Sequence, residues 1–84
     1  MKTIDYKTFV ELISTQDCYF INSFDKAIIR SIVDNGKIRY FVKFKGEEEF
    51  EAKEGSGVIA KAFEEHTVIT KEDYDSFWSN KIAD

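Results

Sequence analysis

Apolar and polar positions alternate through three consecutive runs, KAIIRSIVD, KIRYFVKF and EEFEA, which together span Lys26 to Ala52. Side chains that alternate with a period of two line opposite faces of a strand, so the pattern predicts a three-stranded antiparallel meander. Asn35-Gly36 separates the first two runs. This pair suits a two-residue type I′ turn, in which both central residues take positive φ. The turn sets Asp34 opposite Lys37, Val33 opposite Ile38, Ile29 opposite Val42 and Ala27 opposite Phe44. One face then carries Ala27, Ile29, Ser31, Val33, Ile38, Tyr40, Val42 and Phe44, and is assigned to the core. The other carries Ile28, Arg30, Ile32, Lys37, Arg39, Phe41, Lys43 and Lys45.

The second turn lies around Lys45-Gly46-Glu47. An odd number of loop residues places Phe50 opposite Val42 and Ala52 opposite Tyr40, and moves Glu49 opposite Lys43 on the outer face. An even loop would put Glu49 on the core face, because a slip of one residue inverts every side chain. Gly46 suits the left-handed position of a bulged turn. A competing pattern makes residues 23–35 a helix capped by Ser23 and stopped by Gly36. The β-branched Ile28, Ile29, Ile32 and Val33, together with Asn-Gly, favour strand.

Before the meander, Tyr6, Phe9, Val10 and Ile13 fall at helical spacing, predicting a helix over Thr3–Ser14 with Thr3 as cap and Asp5 in the first turn. Cys18-Tyr19-Phe20-Ile21 is apolar without a clear period and fits a short strand or a buried connection. After the meander, Lys53-Glu54-Gly55-Ser56-Gly57 breaks the chain ahead of a short helix over Val58–Glu65. Val68-Ile69 fits a short strand or an extended link. Thr70-Lys71-Glu72-Asp73 then has the capping-box pattern, with Ile69 and Tyr74 at the spacing of a hydrophobic staple. Tyr74, Phe77, Trp78 and Ile82 continue that stripe. The expected fold is α+β: a three-stranded antiparallel meander, with room for a fourth short strand, and helices packed on one face in the order α-β-β-β-α-α. All 84 residues form one small domain.

Composition is that of an ordinary globular chain, 43% hydrophobic with no proline. Cys18 is the single cysteine, so no internal disulfide is possible. No secretion signal and no membrane span are expected, and the location expected is the cytoplasm. The charge is uneven. Residues 1–45 hold eight Lys/Arg against five Asp/Glu, whereas residues 46–84 hold four Lys against eleven Asp/Glu. Such asymmetry between halves bears on partners, although acidic and basic neighbouring strands also pair favourably.

The residues that carry chemistry are few. His66 is the only histidine, and a helix-end position favoured by the dipole explains it better than a general base paired with Cys18. One Cys and one His cannot supply a structural zinc site, and no calcium loop is present, so no metal and no cofactor are expected. Gly55-Ser56-Gly57 lacks the ending of a phosphate loop and suits a turn with Ser56 as helix cap. No catalytic set emerges, and an enzyme is not expected.

Two surfaces remain. The acidic one comprises Glu47, Glu49, Glu51, Glu54, Glu64 and Glu65, joined by Glu72, Asp73 and Asp75, and could occupy a basic groove. The sheet face comprises Ile28, Arg30, Ile32, Arg39, Phe41 and Lys43. There an apolar patch inside a charged rim suits a protein partner or a homodimer, with Phe41 as anchor. The chain's style of composition is similar to that of many small phage and mobile-element proteins. The expected function is therefore a small acidic, non-enzymatic protein-binding domain, an inhibitor acting on a nucleic-acid-handling or host-defence complex. The alternative is a small nucleic-acid-binding regulator using the basic, aromatic sheet face. A net charge of −4 weighs against direct nucleic-acid binding.

Overall fold

A computed structural model describes residues 1–80, with side chains described through residue 76. The order is β1 (Lys2–Thr3), α1 (Tyr6–Thr15), β2 (Cys18–Asn22), β3 (Ala27–Asp34), β4 (Lys37–Phe44), β5 (Phe50–Ala52), α2 (Gly57–Glu65), β6 (Thr67–Val68) and α3 (Lys71–Asn80). The strands form one antiparallel sheet in the order β1-β6-β2-β3-β4-β5. No helix among the described residues is long and apolar enough to cross a membrane.

The meander has the register its turns dictate. Asp34 pairs with Lys37 and Ala27 with Phe44, and the whole β3–β4 ladder follows from that first turn. Asn35 and Gly36 both have positive φ, at 52° and 78°, as a type I′ turn requires. Beyond the second turn Val42 faces Phe50 and Tyr40 faces Ala52. Gly46 takes φ 84°, and the amide of Glu47 donates to the carbonyl of Phe44 at 3.0 Å.

The class is α+β, but the sheet has six strands, and the helices do not share one face. Phe9 and Ile13 of α1 and Ile59 and Ala62 of α2 are buried with Phe20, Ala27, Ile29, Tyr40 and Val42. Phe9 meets Phe20 and Phe63 edge-on at 5.2 Å between ring centres. On the opposite face, Tyr74 of α3 packs with Ile21 and Ile28, flanked by Tyr19 and Ile69. Strand β2 is thus sandwiched between helices, which is why its sequence shows no alternation: a strand buried on both faces reads as a continuous apolar run.

Two helix starts contrast. Thr3 does not cap α1. It lies in β1 opposite Thr67, with the two hydroxyls 2.7 Å apart, and α1 begins after Asp5, whose carboxylate accepts from the amide of Thr8 at 3.1 Å. Thr70 does cap α3. Its hydroxyl accepts from the amide of Asp73 at 2.9 Å, and the Asp73 carboxylate accepts from the amide of Thr70 at 3.4 Å. Ile69 and Tyr74 pack in one cluster, as the staple spacing requires. The remainder of the predicted stripe, Phe77, Trp78 and Ile82, lies outside the described side chains.

Candidate functional site

The sheet face opposite α1 and α2 is where the sequence places its basic and aromatic residues, and the structure brings them together with acids. Arg30 on β3 and Phe41 on β4 are cross-strand partners, as are Ile32 and Arg39. The Arg30 guanidinium lies 4.4 Å from the centre of the Phe41 ring, and that of Arg39 lies 5.2 Å from it. Phe41 therefore lies against two cations rather than standing as a bare apolar knob.

Each guanidinium is in turn held by a carboxylate. Arg30 donates through Nε and Nη2 to Glu49 at 3.2 and 3.0 Å. Arg39 donates through Nε and Nη2 to Glu51 at 3.0 and 2.9 Å, and through Nη1 to Asp34 at 3.3 Å. Both Glu pairs are two-pronged, the geometry that suits a planar guanidinium to a carboxylate. The hydrogen bonds from Arg30 hold the Glu49 carboxyl below its usual range, helped by the hydroxyl of Tyr74 and opposed by burial. Arg39 does the same for Glu51. Tyr74 donates to Glu49 at 2.6 Å, and its phenol is pushed upward by burial and then by that bond.

This arrangement removes the contiguous apolar patch that the sequence suggests. Ile28 is 1% exposed, buried with Ile21 and Tyr74, because α3 covers this part of the face. Ile32 and Phe41 stay half-buried on the uncovered part. A groove of about 510 Å³ runs beside α3, with Ile21, Ile28 and Ile69 among its apolar lining and Lys26, Lys45 and Asp73 among its polar lining.

The chain matches no family model, no curated protein and no solved structure. Its surfaces must be judged by their own chemistry.

The six expected acidic residues do not act alike. Glu49 and Glu51 belong to the arginine clamp. Glu65, on α2, accepts from the amide and hydroxyl of Ser23 at 2.7 and 2.6 Å. Glu47 and Glu54, by contrast, are exposed at the two ends of β5, with Glu48 beside Glu47 in the loop, and Glu64 is exposed on α2. β5 is the last strand of the sheet, so Glu47, Glu48 and Glu54 make an acidic sheet edge. Phe50 of β5, 43% exposed, stacks on Phe44 with ring centres 6.0 Å apart.

The reactive residues are engaged in the fold. His66 sits at the C-cap of α2 in the left-handed region, φ 39°, and its Nδ1 donates to the carbonyl of Ile4. The Cys18 thiol is buried and donates to the carbonyl of Gln16 at 3.5 Å, and its pKa is raised by burial and by Asp17. Ser56 occupies the N-cap of α2 but its side chain makes no capping bond. Among the described residues no group of three or more His, Cys, Asp or Glu is placed to hold a metal ion.

One residue that sequence reasoning passed over is conspicuous. Phe24, in the turn between β2 and β3, is 76% exposed. A bulky ring inside the polar run Asn22-Ser23-Phe24-Asp25 was the available signal, since such runs form turns and an aromatic in one has little to pack against.

Proposed function

We propose that the chain is a small, non-enzymatic protein-binding domain that presents its acidic β5 edge to a basic surface of a partner, such as a nucleic-acid-handling or host-defence complex exposes. The observation that carries this reading is the allocation of charge. Arg30 and Arg39, the cations on which the nucleic-acid alternative rests, are already neutralised by two-pronged carboxylate pairs. Exposed carboxylates remain at Glu47, Glu48, Glu54 and Glu64. Spaced charges on a rigid edge speed encounter with an oppositely charged surface and select against wrong partners. The same charges, on a strand of only three residues, deter that edge from pairing with further copies of the chain.

Occupying a surface requires no chemistry of its own, which fits an inhibitor of the kind phages and mobile elements use. A thiol with a raised pKa is a poor nucleophile, and the hydrogen bond His66 makes to Ile4 uses one ring nitrogen. The test is capture from nuclease-treated host lysate by the wild-type protein and by a Glu47→Lys, Glu48→Lys, Glu54→Lys variant. These positions avoid Glu49 and Glu51, whose reversal would break the arginine clamp. The expected result is a partner held by the wild type, released by raised salt and absent from the variant. A partner held equally by both proteins would overturn the acidic-edge reading.

A further inference from the structure

The turn that carries Phe24 is pinned more firmly than a surface turn needs to be. Asn22, fully buried, donates through its amide to Asp25 at 2.8 Å and to the carbonyl of Val58 at 2.9 Å, while its carbonyl oxygen accepts from the amide of Asp25 at 3.0 Å. Glu65 takes both the amide and the hydroxyl of Ser23. Lys61 pairs with Asp25 at 3.6 Å, and the amide of Lys26 donates to the carbonyl of Ser23 at 3.3 Å. Residues before, within and after the tip are thus bonded to α2 or to each other, and a fully buried polar side chain is committed to the purpose. What this network holds rigidly in place is an aromatic ring that stays in water. The Lys61 ammonium lies 4.0 Å from the ring centre.

We infer that Phe24 is a preorganised anchor that inserts into an apolar pocket of a protein partner whose pocket rim is basic. Aromatic anchors dominate interface energetics, and a side chain already fixed in its bound position forfeits little freedom on docking. The rim chemistry comes from the surroundings of the ring. A shallow depression of about 310 Å³ beside it is lined by Lys61, Glu64 and Glu65, and with Asp25 and Lys26 of the turn itself the surroundings hold three carboxylates against two ammonium groups. The pairing of Ala27 with Phe44 sets the Phe24 turn at the same end of the sheet as the loop that carries Lys45, Glu47 and Glu48. One partner surface can therefore meet the ring and an end of the sheet on which acids outnumber bases. The inference rests on the protein-binding reading above and supplies that reading with its apolar centre.

The test uses a synthetic nanobody library as the probe, selected on the wild-type protein, because a rigid exposed ring offers a ready hot spot to any binder that closes a pocket round it. Each independent binder is then measured against Phe24→Ala and Glu65→Ala, and both variants are unfolded in denaturant. The expected result is that most binders carry Lys or Arg around an apolar pocket and lose at least tenfold in affinity on Phe24→Ala. That variant should unfold at the wild-type midpoint, and Glu65→Ala, which frees Ser23 and removes one rim carboxylate while keeping the ring, should lose several-fold. Binders indifferent to Phe24, or a Phe24→Ala variant destabilised in proportion to its loss of binding, would overturn the anchor and show the ring to be idle or structural. Either failure would leave the lysate result with the acidic edge untouched, so the two readings fail separately.

Discussion

The hydroxyl of Tyr74 and the carboxylate of Glu49 meet at 2.6 Å, joining α3 to the loop that precedes β5. Arg30, on β3, holds the same carboxylate with two hydrogen bonds. A helix that packs on the sheet through one small apolar cluster is therefore also tied to it by a charged network.

Removing the tie should loosen α3 selectively. Tyr74→Phe keeps the ring and its contact with Tyr19, whose centre is 5.0 Å away. It deletes one hydrogen bond to a charged acceptor, a change of about 1.5–3 kcal/mol. Hydrogen exchange should quicken in α3 while the amides of β3 and β4 stay protected, because Glu49 retains Arg30.

The same network sets a pH dependence. The Glu49 carboxyl titrates lower in the folded chain than in the unfolded one, chiefly through Arg30. Its contribution is present above the ordinary carboxylate pKa of about 4.3 and is lost as pH falls through the lower folded value. Tyr74 is shifted upward, so its contribution is intact below about pH 10 and is lost as pH rises beyond that. Denaturant midpoints measured across pH should show Glu49→Gln with a shallower acid limb than the wild type, and Tyr74→Phe with a shallower alkaline limb.

How much of this was legible in the sequence depends on whether a short-range signal existed. The Asn35-Gly36 turn fixes the β3–β4 pairing because φ is positive at both positions, and the capping box fixes the start of α3 because both of its hydrogen bonds are local. Nothing local marks β1, and β6 was legible only as a short strand or an extended link at Val68-Ile69. Each is two residues long and depends on distant pairing, β1 on Thr67 and Val68 and β6 on Phe20 of β2 as well. The placement of α3 on the outer face was hidden for the same reason: Ile28 looks like one apolar residue in a basic face until Ile21 is set beside it by the β2–β3 pairing. Of the candidate surfaces, the residue types were legible but their commitments were not. Arg30 bonds Glu49 although its cross-strand neighbour is Phe41, so the acid it takes is diagonal to it and comes from the next turn.

The two threonines near helix starts should respond differently to mutation. Thr70→Ala removes an N-cap bond and should cost about 1 kcal/mol in denaturant unfolding. Asp5→Ala should cost a similar amount, about 1 kcal/mol, because Asp5 is the residue that caps α1. Thr3→Val, at the position where the stripe alone would place that cap, should leave the helical signal of α1 unchanged.

A buried serine offers a change in the opposite direction. The Ser31 hydroxyl is fully buried between Cys18 and Tyr40 in the sheet and has no hydrogen-bond partner among the described residues. An unsatisfied buried hydroxyl carries a desolvation cost of about 1–3 kcal/mol, part of which the mutation recovers. Ser31→Ala should therefore unfold at the same or a higher denaturant concentration than the wild type. A clear loss of stability would mean that the hydroxyl has a partner.

The allocation of charge on the sheet face yields the last prediction. Binding a phosphate backbone depends on cations that can leave their counterions, and each contact adds to the salt dependence. In this chain Arg30 and Arg39 are neutralised internally while the whole molecule is acidic. The wild-type protein at micromolar concentration should therefore give no mobility shift with single- or double-stranded probes at low salt. Glu49→Gln with Glu51→Gln removes both two-pronged partners and lowers the net negative charge, leaving Arg30 without its carboxylate and Arg39 with Asp34 alone beside an aromatic ring, a combination suited to single strands. That double variant should acquire weak binding to single-stranded nucleic acid that disappears as salt is raised. Binding by the wild type that Arg39→Gln abolishes would show instead that the carboxylates release their arginines to phosphate, and would revive the nucleic-acid reading of this face.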